Sequence, residues 1–285
     1  EPRIGQSYPN FYAAKLASSF GRVVLSGTGG DELFGGYPWR YHRGMGDGGF
    51  QQWVDRYYAY WQRLLPNGLL PQVMAPVWDK VGHVDCRQLF CGVFDGTGFE
   101  APTSPEDCVG LSMYLEAKTF LHGLLVVEDK LSMAHGLENR LPFLDNDVVD
   151  FALALPTDRK LKLLDSKIRI DENLPGSKTD HYFSKTKDGK LLLRQAFASL
   201  LPEETANGPK QGFSGPDASW FRGESLEFVR RIIFDDRSAI FDVLDPAAVR
   251  PLVSDHLAGT ENRRLLLWSL LSLEQWCRTF LGRGP

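Results

Sequence analysis

A short apolar segment that runs into a glycine-rich turn constrains the fold of this chain more than any other feature. Residues 22–26 (RVVLS) are apolar and β-branched, as expected of a strand that is covered on both faces. A turn of small residues follows at 27–30 (GTGG), and then the acids Asp31 and Glu32. A helix is predicted just before the strand, over residues 9–20. This order predicts half of an α/β unit, in which ligands bind at the carboxyl ends of parallel strands.

The rest of the sequence is mostly helical by its apolar periodicity. Helices are predicted, in chain order, over residues 51–65, 105–131, 146–155, 190–201, 225–234 and 262–281. Residues 157–190 are charged and turn-rich, which predicts an excursion on the surface. We therefore expect an α/β fold to which this chain contributes about one parallel strand and a mostly helical C-terminal body.

Composition excludes several functional classes. The formal net charge of −4 comes from 32 basic and 36 acidic residues among 285, so no broad basic field for nucleic acid is expected. No apolar run approaches the roughly 20 residues of a membrane span. The four cysteines lack the spacing of a zinc site, and so few in a chain of this length predict a reducing, cytoplasmic location.

The glycine-rich turn has the parts of an anion site. Residues 26–30 are all small, so their backbone N–H groups could approach a phosphate or carboxylate closely. Asp31 follows at a helix start, where a carboxylate could hold a Mg²⁺ that bridges phosphate oxygens. The GK[ST] signature of a Walker loop is absent. On these residues alone, a ligand site and a plain tight turn are equally good interpretations.

Three further segments form an ordered set with this turn. The set comprises residues 26–41 (SGTGGDELFGGYPWRY), 130–145 (KLSMAHGLENRLPFLD), 190–194 (KLLLR) and 209–220 (PKQGFSGPDASW). Each resembles the corresponding block of asparagine synthetase-like enzymes, which are ATP-pyrophosphatase amidoligases. The apolar tail at 262–281 is also typical of bacterial members, so the resemblance covers residues 1–281.

The resemblance implies both a fold and a reaction. The fold would be the adenine-nucleotide α-hydrolase-like (ATP-pyrophosphatase) α/β fold, with residues 1–45 at the end of the nucleotide site and 46–285 as the helical body. ATP and Mg²⁺ would activate a small carboxylate substrate as an acyl-adenylate, releasing pyrophosphate. Ammonia or an amine would then attack the adenylate.

The resemblance also assigns roles to particular residues. Asp31 matches the carboxylate that holds Mg²⁺-pyrophosphate, and Lys210 matches the lysine that neutralises pyrophosphate and the adenylate. Ser26 and Gly27 match residues that line the adenylate and substrate pocket. Their neighbours Gly29 and Gly30 are expected to bind the cofactor together with them.

Position 28 departs from the family pattern. Asparagine synthetases carry an acid between the first two glycines, and the related β-lactam synthetases carry a tyrosine that handles the attacking amine. This chain has Thr28 at that catalytic position. Threonine does not titrate near neutral pH, so adenylation is expected to survive while the amine or the acceptor differs. Two alternatives stay open, a ligase that forms a lactam or tailors a peptide or sugar acid, and a non-catalytic scaffold or partner subunit.

A second departure concerns the rest of the site. The family's pyrophosphate loop, SGG.DS, does not occur in this sequence, and neither does a glutaminase domain with its cysteine nucleophile. We therefore expect an N-terminal part of the synthetase domain and a glutaminase domain to act as partners, in the same gene product or in a separate chain. The resemblance leaves a homodimer open as the assembly.

Several other residues have plainer interpretations. Glu138 and Arg140 are expected to form a structural pair near Pro142, and Asp145 is expected to cap the helix that follows. Glu128 and Asp129 could face a cleft or solvent equally well. The aromatic residues Tyr37, Trp39 and Tyr41 could border a substrate pocket, although packing in the interior is the favoured expectation. His122 and His135 are expected to be ordinary histidines.

Overall fold

The computed structural model describes residues 6–99, 101–162, 188–206, 208 and 224–282. The α-helices in this part of the chain are α1 (Ser7–Ser18), α2 (Gly30–Phe34), α3 (Pro38–Tyr41), α4 (Phe50–Trp61), α5 (Leu70–Val73), α6 (Trp78–Val81), α7 (Cys86–Gly92), α8 (Pro105–Leu115), α9 (His122–Met133), α10 (Asn146–Ala154), α11 (Leu191–Ala196), α12 (Glu203–Ala206), α13 (Glu224–Ile233), α14 (Pro246–Ala258) and α15 (Arg264–Phe280). The strands are β1 (Val23–Leu25) and β2 (Glu138–Arg140). Within the described ranges, each helix is too short or too polar to cross a membrane.

The sheet is small, parallel and formed by segments that are far apart in sequence. Val23, Val24 and Leu25 of β1 lie opposite Glu138, Asn139 and Arg140 of β2, respectively. The predicted strand is therefore present. The described residues supply two strands where the sequence predicted about one, because β2 is three polar residues long and lacks the apolar pattern of a strand.

A long continuous helical segment packs against this sheet. It consists of α8, a π-helical turn over Glu116–Leu121, and α9, and it packs against α1 and β2. Ser104 and Asp107 form a capping box at the start of α8. The helix predicted over 105–131 is confirmed, with the addition of the π turn. Such turns are rare and are frequent at functional sites.

Two larger apolar clusters stabilise the helical body. One joins α4, α7 and α8 around the fully buried Trp53 and Tyr57. The other joins α13, α14 and α15, where Leu266, Leu267 and Leu270 are buried. The C-terminal helix therefore lies deep in the core over most of its length.

The remaining predictions are confirmed in part. The helices predicted over 9–20, 51–65, 146–155, 190–201, 225–234 and 262–281 are present with ends shifted by a few residues, the largest shift being at the end of the short α11. The side chain of Asp145 accepts a hydrogen bond from the backbone N–H of Asp147, so it caps α10 as expected. Residues 163–187 lie outside the described residues, so the surface excursion predicted over 157–190 stays a prediction.

Candidate active site

The glycine-rich turn lies at the carboxyl end of the parallel sheet. The backbone N–H of Ser26, immediately after β1, donates to the carbonyl of Arg140 at the end of β2 (2.9 Å). Gly29 has a φ of 94°, and a Cβ there would lie 2.5 Å from Leu144 Cδ2, so both backbone and space require glycine. Among the described residues other than its chain neighbours, none has an atom within 4 Å of a Cβ built at Gly27. The turn therefore requires glycine at position 29, whereas the described residues leave space beside Gly27.

Thr28 makes a contact that spans a hundred residues of sequence. Its hydroxyl donates to Glu128 Oε2 at 2.7 Å, and the hydroxyl oxygens of Ser26 and Thr28 are 3.0 Å apart. Asn139 Nδ2 donates to the other oxygen, Glu128 Oε1, at 3.2 Å. Residues from the turn after β1, from α9 and from β2 therefore meet in one polar cluster, and Glu128 belongs to it.

Asp31 lies on the other side of the turn, in the first turn of α2. Its Oδ1 is 2.8 Å from Lys190 Nζ, and both side chains are partly exposed, at 23% and 33% respectively. Lys190 has a φ of 58°, an uncommon conformation for a residue other than glycine. Its backbone N–H donates to the carbonyl of Phe34 at the end of α2 (3.1 Å). Lys190 is therefore held against α2 through both its backbone and its ammonium group.

Gly36 gives Asp31 the room that this arrangement needs. A Cβ at Gly36 would lie 1.8 Å from Asp31 Oδ1 and 2.5 Å from its Cγ. We expect Gly36→Ala to displace the carboxylate and to lower the free energy of unfolding by about 1–3 kcal/mol, as for other overpacked positions. Urea denaturation measures this change.

The matched control for that substitution is Gly110→Ala in α8. In the part of the chain that the structure describes, and apart from the backbone of α8 itself, nothing lies within 4 Å of the added methyl group. Alanine is also the better helix former by up to about 1 kcal/mol. Gly110→Ala is therefore expected to leave stability unchanged or raised. Equal stabilities for the two variants would contradict the crowding at Gly36.

One of the acidic residues of α2 is buried. Glu32 is 2% exposed and accepts a hydrogen bond from the Tyr37 hydroxyl at 3.0 Å. Burial, with a smaller contribution from the Asp31 carboxylate, raises the pKa of Glu32 above its usual value. Trp39 and Tyr41 are almost wholly buried, so the aromatic cluster packs in the interior as predicted.

A buried ion pair joins α3 to the π turn. Arg40 Nη1 is 2.9 Å from Glu116 Oε2 in the π turn, and Tyr57 donates to Glu116 Oε1 at 2.7 Å. The guanidinium of Arg40 also lies over the rings of Tyr37 and Phe120, at 4.1 and 4.4 Å from their centroids. These contacts connect α3, α4 and the π turn beneath the candidate site.

Comparison with known proteins places the sequence in a family. The sequence model of the asparagine synthase family matches residues 1–278. The chain belongs to the asparagine synthase family. It is 27% identical to "Asparagine synthetase [glutamine-hydrolyzing] 1" of Bacillus subtilis over 94% of this chain, and 28% identical to "Putative asparagine synthetase [glutamine-hydrolyzing]" of Mycobacterium bovis over 96% of it. A chicken asparagine synthetase is 34% identical over 43% of the chain.

The matched region is most of this chain but less than half of each of these two relatives. It spans 42% of the length of both the Bacillus and the Mycobacterium proteins. Their names describe glutamine-hydrolysing asparagine synthetases, which are carbon–nitrogen ligases. The chain therefore matches less than half of each of these two proteins.

The structure brings together most of the residues that family resemblance singled out. Ser26, Gly27, Thr28, Gly29, Gly30 and Asp31 form the turn and the start of α2, with Glu128 beside Thr28. Lys210 lies outside the described residues, so its role stays a prediction. Glu138 and Arg140 form an exposed ion pair (2.7 Å), as expected, but they do so on β2.

Sequence reasoning missed two residues of the site. Asn139 lies between Glu138 and Arg140 in the second matching segment, and Lys190 is the first residue of the third segment. Their positions in these segments were the available signal. Their contacts with Glu128 and Asp31 depend on the tertiary fold, which local patterns do not reveal.

Proposed function

We propose that this protein is an ATP-dependent amidoligase. It activates a carboxylate as an acyl-adenylate with release of pyrophosphate, and ammonia or an amine then attacks to give an amide and AMP. The observation that carries the proposal is the glycine-rich turn at the carboxyl ends of two parallel strands, with Asp31 and Lys190 on one side and the Thr28–Glu128 cluster on the other. Open α/β sheets bind nucleotides at this place, which supports an ATP-pyrophosphatase-type α/β fold.

The two sides of the turn suit different partners. On the Asp31 side, the Lys190 ammonium offers positive charge to phosphate groups, and Lys210 would add a second cation there. On the Thr28 side, the Glu128 carboxylate would repel phosphate and suits an amine. The Ser26 hydroxyl belongs to the Thr28 side, 3.0 Å from the Thr28 hydroxyl, and the family resemblance suggests that the adenylate carbonyl binds near Ser26 and Gly27.

Mg²⁺ fits this site only as an ion held together with phosphate. The described residues contain no group of three or more His, Cys, Asp or Glu side chains that could hold a metal. Mg²⁺ in nucleotide sites commonly uses one or two carboxylates, substrate phosphates and water, so Asp31 alone is a sufficient protein ligand. When bound, the ion would neutralise charge on the pyrophosphate leaving group.

The ATP site is expected to be completed by an N-terminal part of the synthetase domain. Tyr12 and Leu16 of α1 and Phe20 in the turn after it are exposed, at 50%, 64% and 86% respectively. Val23 and Leu25 of β1 are also exposed, although strands of parallel sheets are normally covered on both faces. A neighbouring strand and helix from the missing part of the family's architecture would cover this surface. A glutaminase domain as ammonia source, a homodimer and a cytoplasmic location remain predictions.

Thr28 favours a second candidate within the same chemistry. The acid of asparagine synthetases is absent at this position, so the acceptor would be a carboxylate other than aspartate, as in a lactam-forming or a peptide- or sugar-acid-tailoring ligase. The activation step is the same for both candidates. They differ only in the carboxylate and the amine.

Product analysis tests the proposed reaction. The native protein, together with any N-terminal region or partner chain that belongs with it, is incubated with ATP, Mg²⁺, an ammonia or glutamine source and a panel of carboxylates that includes aspartate. We expect AMP and pyrophosphate in amounts equal to the amide formed. ADP and phosphate as the nucleotide products would contradict adenylation, and aspartate as the preferred acceptor would exclude the second candidate.

A further inference from the structure

Arg194 is the last residue of the third matching segment, 190–194, of which the proposed function uses only the first residue. The side chain of Arg194 is partly buried and donates to three backbone carbonyls. Its Nε is 3.1 Å from the carbonyl oxygen of Gly189, and its Nη1 is 2.7 Å from that of Ala206 and 3.4 Å from that of Gly208. The planar guanidinium therefore joins the chain just before α11 to the end of α12.

The peptide bond between Gly189 and Lys190 is held on both of its sides. Its carbonyl accepts from Arg194, and its N–H donates to the carbonyl of Phe34 at the C-terminal end of α2 (3.1 Å). Position 189 requires glycine, because a Cβ there would clash with the carbonyl oxygen of Gly35. The peptide plane is therefore fixed between α2 and the guanidinium of Arg194.

The fixed peptide accounts for the uncommon backbone conformation of Lys190. Among the residues that the structure describes, Lys190 is the one residue other than glycine with a positive φ, at 58°. Such a conformation persists where surrounding contacts enforce it, and it is frequent at functional sites. With the preceding peptide held, this φ sets the direction in which the side chain leaves the backbone, and the Lys190 ammonium lies 2.8 Å from Asp31 Oδ1.

We propose that Arg194 is a positioning residue, which holds the Gly189–Lys190 peptide so that the Lys190 ammonium meets pyrophosphate beside Asp31. This inference rests on the proposed amidoligase function, in which Lys190 offers positive charge to phosphate groups. Arg194 acts through the backbone rather than by binding phosphate. Its own position is set by α12, where Ala206, one of the two carbonyl partners, is buried.

Calorimetric titration with magnesium pyrophosphate tests this role in the native protein, together with any N-terminal region or partner chain that belongs with it. Arg194→Gln removes the guanidinium. We expect the Kd for magnesium pyrophosphate to rise by about 10–100-fold, the usual effect of losing one hydrogen bond to a charged group, with an unchanged number of binding sites. Loss of folded protein would instead lower the number of sites and leave the Kd unchanged. Arg194→Lys keeps the charge but lacks the planar fork, so this milder variant is also expected to raise the Kd.

A double-mutant cycle shows whether Arg194 acts through Lys190. Lys190→Met removes the ammonium and is expected to raise the Kd for magnesium pyrophosphate by a similar factor. Adding Arg194→Gln to Lys190→Met is then expected to change the Kd by no more than about twofold, because the group that Arg194 positions is already absent. Arg159→Gln makes the same chemical change at an exposed position and is expected to leave the Kd unaltered.

Three results would overturn the inference. Arg194→Gln could bind magnesium pyrophosphate with the Kd of the unaltered protein, or its effect could multiply with that of Lys190→Met, which would show that the two residues act independently. An unaltered protein that shows neither pyrophosphate binding nor carboxylate-dependent ATP–pyrophosphate exchange would contradict the proposed function, and this inference with it. Exchange by the unaltered protein, together with an unchanged Kd in Arg194→Gln, would refute the positioning role alone.

Discussion

Replacing Arg40 by methionine is expected to lower the free energy of unfolding by about 3–5 kcal/mol. The substitution removes the guanidinium that lies 2.9 Å from Glu116, whose side chain has no exposed surface. It also removes the guanidinium from the rings of Tyr37 and Phe120. Chemical denaturation followed by circular dichroism measures the difference.

An exposed ion pair provides the control for this measurement. Arg230 and Glu227 are 3.2 Å apart, with side chains that are 58% and 77% exposed. Arg230→Ala is expected to cost no more than about 1 kcal/mol, because water solvates the remaining carboxylate. Combining Arg40→Met with Glu116→Gln should recover part of the loss. Equal costs for Arg40→Met and Arg230→Ala would contradict a stabilising role for the buried pair.

Replacing Asp31 by asparagine is expected to reduce carboxylate-dependent ATP–pyrophosphate exchange by at least about a hundredfold, the usual effect of removing one group that stabilises transition-state charge. In the proposed mechanism, this carboxylate is the protein's ligand for the ion that accompanies pyrophosphate. The partly exposed pair with Lys190 contributes at most about 1 kcal/mol, so the variant should remain folded.

The control for Asp31→Asn is Asp79→Asn, which makes the same chemical change at an exposed position in α6. It is expected to leave exchange unaltered. Circular dichroism of both variants checks that they are folded. Full exchange activity in Asp31→Asn would contradict the assignment of Asp31.

Local sequence patterns predicted the elements whose own residues determine their structure. The apolar run at Val23–Leu25 and the apolar stripes of α4 and α15 are visible in the residues of each element alone, and these elements were predicted. The helix α14 was missed because Pro246 and Pro251 look like helix breakers. Pro246 in fact occupies the first helical turn after the Asp245 cap, and only Pro251 lies inside the helix.

The parts of the site that sequence could not predict are those made by distant segments. Thr28 and Glu128 are separated by a hundred residues, and nothing local to either one indicates the contact. Glu128 is followed directly by the exposed Asp129, so the pair of acids was compatible with a solvated helix end. The strand β2 likewise exists because β1 offers it hydrogen-bonding partners, since its own three residues are polar.

The central claim, that this chain carries the carboxylate-activating site of an amidoligase, is tested most directly by ATP–pyrophosphate exchange. The native protein, with any N-terminal region or partner chain that belongs with it, is supplied with ATP, Mg²⁺ and labelled pyrophosphate, but without an amine. We predict that label enters ATP only when an acceptor carboxylate is present, because formation of the acyl-adenylate is reversible. Absence of exchange with every carboxylate tested, in a protein shown to be folded and complete, would contradict the claim and favour a non-catalytic scaffold.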